Sequence, residues 1–175
     1  PTFGLDSVYG LGPSGSPHLF DQTVDHGLTT LLVEAIPGSN SVCKDGSVKF
    51  DLPRNSQGTA LIGDPRNDEN MVLSQLHVAF LRFHNAIVHK LKTELGLQNP
   101  TDVFLEAQRL TRWHYQWIIV NEFLPKTVGK ELVKNILTKG RQFYAWKNAP
   151  YIPVEFSVAA YRFGHSQVRP SYRVH

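Results

Sequence analysis

A few side chains in this sequence have the types and spacing to do chemistry. His165 closes the run Tyr161-Arg162-Phe163-Gly164-His165. Arg66 and Glu69 stand three residues apart in Gly63-Asp64-Pro65-Arg66-Asn67-Asp68-Glu69-Asn70. An imidazole can hold a metal through one ring nitrogen while a hydrogen bond fixes the other. The helical period expected after Pro153 puts His165 on one stripe with Val154, Val158, Tyr161 and Val168. A lone histidine on such a stripe is more often a satisfied core residue than a ligand. Arg66 and Glu69 fall one turn apart at the entry to a long apolar helix, so both can face one cavity. Their plain alternative is helix-entry charge, since Asp68 and Glu69 suit the positive N-terminal end of a helix whatever the function.

The elements that must position these residues follow from punctuation and period. Residues 1–65 read as a loop-rich segment, with Gly10, Gly12, Pro13, Gly15 and Pro17 at the start and Pro37-Gly38-Ser39-Asn40-Ser41 as a further turn. Within it, Leu28 to Ile36 suits a short strand or helical turn, and Ser47 to Leu52 alternates as a brief strand would. Residues 66–175 read as a helical segment. From near Asp68, the residues Met71, Leu73, Leu76, Phe80, Phe83, Ile87, Val88, Leu91 and Leu95 recur mostly at spacings of three and four. That predicts one buried stripe on a helix of about 25 residues, closed by Gly96. A second helix is expected from Thr101-Asp102, just after Pro100, to about Asn121, ending before Pro125. A short third helix fits Lys130 to Leu137, and a fourth begins at Pro153. The fold class expected is mainly α, with a loop-rich N-terminal third.

Composition sets the bounds. With 175 residues, 41% of them hydrophobic and 11% aromatic, the chain is one domain or part of one. Lys and Arg outnumber Asp and Glu by 18 to 15, scattered without a run that could track a phosphate backbone, so no nucleic-acid partner is expected. Arg162, Arg169 and Arg173 form the nearest thing to a basic patch: a solvated tail, or a site for an anion. The single cysteine, Cys43, excludes a disulfide within the chain and zinc held by cysteines. No stretch approaches the roughly 18 apolar residues of a membrane span. The expectation is a soluble chain, with compartment and oligomeric state open and secretion among the options. Pro1-Thr2-Phe3-Gly4 does not read as a signal peptide.

Taken together, the Gly63–Asn70 run, Leu81-Arg82-Phe83-His84-Asn85 on the helix after it, and Arg162-Phe163-Gly164-His165 resemble the heme-binding centre of the animal-type heme peroxidases, the peroxidase-cyclooxygenase superfamily, and its bacterial branch most. Asp6-Ser7-Val8-Tyr9-Gly10 and Asn121-Glu122-Phe123-Leu124-Pro125 extend the resemblance over nearly the whole chain. It implies that residues 1–175 are an internal part of one heme peroxidase catalytic domain, a partial helical domain that binds heme b. It implies His165 as the axial ligand of the heme iron, with its supporting asparagine beyond His175. Gly164 would let a flat macrocycle approach. Arg162 would pair with a heme propionate, Arg66 would be the catalytic arginine of the distal side, and Glu69 matches a glutamate that forms an ester with a heme methyl in mammalian members. Asn70 stands where one mammalian member has a heme-bonded methionine, so that link is excluded. His84, Asn85, His77 and His114 are read as structural.

Two features depart from the family. Gln22-Thr23-Val24-Asp25-His26 has the spacing of the distal-histidine motif but follows Val8-Tyr9-Gly10 instead of preceding it, so the distal histidine is expected upstream of Pro1. The family's calcium loop maps onto Thr2, Gly4 and Asp6, a single carboxylate where a hard cation needs six or more oxygens, and Gly27 replaces a calcium-binding aspartate. The expected function of the intact protein is peroxidase chemistry on hydrogen peroxide and a small-molecule electron donor. The alternatives are a fatty-acid dioxygenase of the same superfamily, disfavoured because Arg162 stands where that branch has its radical tyrosine, and a non-catalytic helical piece that loads no heme.

Overall fold

The structure is a computed structural model, and it describes residues 4–43 and 45–173. The loop-rich segment consists of short pieces: the helices α1 (Asp6–Tyr9), α2 (Gly12–Gly15) and α3 (Ser39–Val42), with 3-10 turns at Pro17–Leu19 and Asp25–Gly27. Two short strands, β1 (Glu34–Ala35) and β2 (Phe50–Asp51), pair antiparallel with Glu34 opposite Asp51 and Ala35 opposite Phe50. Both segments expected to be extended thus contribute, but only two residues each.

A 3-10 turn, Pro65–Asp68, leads to the long helix α4 (Met71–Thr93). The helix starts later than the periodicity suggests because Asn70 caps it: its Oδ1 accepts the Leu73 N–H at 2.9 Å. It ends as expected. Gly96 turns left-handed (φ 68°) and the Leu97 N–H returns to the Leu91 carbonyl at 3.1 Å. The buried face matches the expected stripe only in part. Val88 and Leu91 are buried and Leu73, Phe80, Phe83 and Ile87 half-buried, but Ser74, His77, Val78, Leu81 and His84 are buried beside them, whereas Met71, Leu76 and Leu95 are exposed. Phe80 and Phe83 set their rings against Tyr115 and His114.

The buried face meets helix α5 (Pro100–Ile118), which opens with Asn99 Oδ1 accepting the Thr101 N–H at 2.9 Å. Val8, Tyr9, Leu19, Phe20, Leu31, Leu52, Val78, Leu81 and Phe104 bury a core between α1, the loops and the helix pair. Each large side chain buried there contributes about 1.5–3 kcal/mol. Asn85 fixes the loop to the helix, accepting the Leu31 N–H and donating to the Leu31 carbonyl, both at 2.8 Å.

The second helix does not stop before Pro125. A π-helical turn, Ile119–Phe123, carries the chain into α6 (Leu124–Val128), with the Leu124 N–H reaching the Ile119 carbonyl. In a regular helix the Pro125 ring would press on the carbonyl four residues earlier; a widened turn relieves that clash.

The chain divides into two compact units, one ending at Thr127 and the other beginning at Val128. The second holds α7 (Lys130–Lys139) and α8 (Val154–Val158), followed by a 3-10 helix at Ala160–Gln167. The single fourth helix expected from Pro153 is therefore broken at Ala159 (φ −114°, ψ −70°). Val154, Val158, Tyr161 and Val168 are 70%, 68%, 67% and 68% exposed, so the stripe they were expected to form buries nothing. Most helical stability comes from packing an apolar face, and without it a sequence with Val, Phe, Tyr and Gly holds only short turns. The mainly α class stands.

Candidate functional site

Arg66 and Glu69 lie on the turn before α4, with Glu69 closing it and Asn70 opening the helix. Side chains hold this turn almost residue by residue. Asp64 Oδ1 accepts the Arg66 N–H at 3.0 Å, and its carboxylate receives the Arg66 guanidinium, Nε at 3.0 Å and Nη2 at 2.6 Å. That guanidinium holds the Asp64 carboxyl down at about 2. The pair is open to water, the Arg66 side chain being 79% exposed. Asn67 donates from Nδ2 to His77 Nδ1 at 2.9 Å. Asp68 receives a fork from Arg54, Nη1 and Nη2 each at 2.7 Å, and Arg54 Nε also binds Asp51 of β2 at 3.0 Å. Gly63 sits so close to α1 that a Cβ there would lie 2.7 Å from the Ser7 carbonyl oxygen and 2.9 Å from that of Asp6. Glu69 is exposed, facing the charge of Arg66.

His77 is 4% exposed, and its Nε2 is a buried polar atom without a hydrogen-bond partner. Because Nδ1 accepts from Asn67, the ring proton sits on that orphaned Nε2. Burial lowers the pKa and keeps the ring neutral, although the Asp64 charge pulls the other way. An unpaired buried donor costs about 1–3 kcal/mol.

Arg162 and His165 belong to the other unit, on the 3-10 helix Ala160–Gln167. Three residues per turn eclipse side chains three apart, so the guanidinium and imidazole share one face. Both are exposed, and a Cβ on the intervening Gly164 would meet nothing within 4 Å. Tyr161 packs its ring 5.7 Å from that of Phe156.

The features read as departures look different in space. Asp25 and His26 adopt left-handed backbone (φ 47° and 55°), and the Asp25 carboxylate is tied to Lys92 and Thr29, leaving His26 exposed. The side-chain hydrogen bond from Lys92, then that from Thr29, lowers the Asp25 pKa. Of the calcium-loop positions, Thr2 lies outside the described residues, Asp6 is exposed, and the Gly4 carbonyl accepts from Arg112 Nε at 2.7 Å. Among the described residues no three His, Cys, Asp or Glu side chains cluster as metal ligands. A cavity of about 460 Å³ lined by Leu91, Leu97, Asp102, Leu105 and Arg109 lies at the far end of α4 from the Arg66 turn. No helix among the described residues is long and apolar enough to cross a membrane.

Comparison with known proteins decides the family. The family model described as "Animal haem peroxidase" matches residues 6–175. The chain belongs to the animal heme peroxidase family. It is 37% identical over 111 residues to a peroxidase-like protein of Margaritifera margaritifera, covering 61% of this chain and 14% of that protein. It is 29% identical over 168 residues to peroxidasin homolog pxn-2 of Caenorhabditis elegans, covering 92% of this chain and 12% of that protein. To human thyroid peroxidase it is 29% identical over 123 residues, covering 70% of this chain and 13% of that protein. The chain thus spans 12–14% of the length of these three relatives.

Membership implies a heme cofactor, and the residues present fit one. Heme iron can be held by a single histidine, and the His165 side chain is exposed and able to reach such a group. Beside it stand an eclipsed cation suited to a carboxylate of the macrocycle and a glycine with open space at its Cβ.

Sequence reasoning missed how the Arg66 turn is held. Asn70 carried a signal, a capping residue just before an apolar-periodic run. Arg54 and His77 carried none, since their partners on the turn are 14 and 10 residues away.

Proposed function

We propose that the intact protein is a hydrogen-peroxide-dependent heme peroxidase acting at heme b on a small-molecule electron donor, and that residues 1–175 are part of its single catalytic domain. The observation that carries the reading is the exposed 3-10 face bearing His165 and Arg162 with the bare Gly164 between them. Bound heme supplies the redox chemistry by which peroxide is reduced and a donor oxidised. The chain's own residues hold and assist it. His165 would hold the iron through its imidazole. Arg162 would pair with a propionate. Arg66 would present a pre-organised cation to negative charge developing on bound peroxide. Glu69 would lie at the heme edge and anchor it. The affinity of the motifs with the bacterial branch belongs to the same proposal. Neither His26 nor a calcium ion has a part in it.

The test is Arg66→Ala in the heme-loaded protein. The reaction with peroxide, followed by stopped-flow absorption, should slow by roughly 10²–10³-fold with heme content unchanged. A rate within a few-fold of the parent would make Arg66 a surface charge. The fatty-acid dioxygenase reading stays disfavoured on the sequence ground that its radical tyrosine is replaced by Arg162.

A further inference from the structure

We propose that His77 is a positioning residue for Arg66, acting through Asn67. The inference rests on the peroxidase role given to Arg66 and goes beyond it. Pro65–Asp68 is one short 3-10 turn, flanked by the Asn67 N–H reaching the Asp64 carbonyl at 3.0 Å and the Glu69 N–H 3.5 Å from the Arg66 carbonyl. Those backbone bonds are local to the turn, so side chains tie it to the rest of the fold. Asp64 aims the Arg66 guanidinium but lies on the same exposed turn, so it cannot fix that turn to the fold. Among the described residues two side-chain bonds reach from the turn to other parts of the fold: Asp68 to Arg54 in the loop after β2, and Asn67 to His77 on α4. Asn67 is the residue next to Arg66, so the His77 bond fixes the peptide that carries the guanidinium.

The imidazole itself argues for the role. His77 is buried with Nε2 unpaired. An aliphatic side chain at this place on the apolar face of α4 would fill the space without an orphaned donor. What the imidazole supplies and an aliphatic side chain cannot is an acceptor, Nδ1, for Asn67. A cation used against developing charge must be held in place before reaction, since misplacement by an ångström costs about 10²-fold.

The experiment is a double-mutant cycle in the heme-loaded protein, with His77→Leu, Arg66→Ala and the pair, read by the stopped-flow reaction with peroxide. Hydrogen–deuterium exchange of residues 64–70, in the absence of peroxide, is the second readout. His77→Leu should slow the reaction about 10-fold or more with heme content unchanged, and should speed exchange at Asn67 and Glu69. In the double variant it should add nothing to the loss from Arg66→Ala, because a positioning residue has no effect once its client is gone. His77→Gln, whose amide oxygen can accept from Asn67, should recover most of the rate. If His77→Leu fails to fold, Asn67→Ala removes the same bond from its solvent side and should give the same rate loss and the same exchange. Losses that add in the double variant, or a parental rate and exchange in His77→Leu while Arg66→Ala is slow, overturn the inference and leave the peroxidase reading intact. A parental rate in Arg66→Ala itself overturns the role of Arg66, and the positioning role falls with it.

Discussion

His84 shows how far a single residue's environment sets its chemistry. It is 0% exposed. Its Nε2–H donates to the Thr29 carbonyl at 2.8 Å, and its Nδ1 accepts from the Tyr9 hydroxyl at 3.0 Å. Burial pushes its pKa from 6.5 down to about 4, and pushes the Tyr9 phenol up to about 12. The sign follows from linkage. Between those two pH values the unfolded chain binds a proton that the fold refuses, so stability is full above pH 6.5 and is lost as pH falls towards 4. Denaturation followed across that window should show a slope of up to about 1.4 kcal/mol per pH unit from this residue. His84→Phe should flatten it. Tyr9→Phe should cost about 1–3 kcal/mol, since it leaves the buried His84 Nδ1 without its partner. The structural role of His84 and Asn85 was legible from their place in the helix motif. Their partners, Thr29, Tyr9 and Leu31, were not, because each lies more than fifty residues away in the chain. His26 was legible as a misplaced motif by its order alone. His26→Ala should leave peroxide reactivity unchanged; a loss of about 10²-fold or more, the least expected of a general acid–base group, would restore it as the distal base.

At the scale of elements, the C-terminal end of α4 followed from capping chemistry, whereas the Asn70 and Asn99 caps set the starts of α4 and α5 away from the expected Asp68 and Thr101. Asn99, Pro100 and Gly96 act as local rules require. Asn70→Ala should cost about 1 kcal/mol through the lost cap, read as a lower midpoint of thermal or denaturant unfolding. Gly63→Ala should be worse than its size suggests, since the new methyl meets the backbone oxygens of Asp6 and Ser7, which cannot rotate aside. The turn must then shift away from α1, so peroxide reactivity should fall together with stability. If Gly63→Ala leaves both unchanged, the docking of the turn on α1 is wrong. Two elements escaped the sequence because both depend on relations outside their own period. The π turn at Ile119–Phe123 answers to a proline one residue beyond the Leu124 that closes it. The break at Ala159 interrupts a stripe whose members Val154, Val158 and Tyr161 are exposed.

At the scale of the molecule, the family could be read from motifs whose order and spacing run along the chain, and the family match over residues 6–175 bears it out. The candidate residues are divided: Arg66 and Glu69 fall in one compact unit and Arg162 and His165 in the other, a division that periodicity within each segment does not reveal. The account therefore turns on whether His165 holds the iron. The most direct measurement is resonance Raman spectroscopy of the heme-loaded ferrous protein, comparing the parent with His165→Ala. The parent should show an iron–histidine stretching band, the variant should lack it, and added imidazole should bring a ligation signature back. A band that persists unchanged in His165→Ala would contradict the assignment and, with it, the site proposed around Arg162 and Gly164.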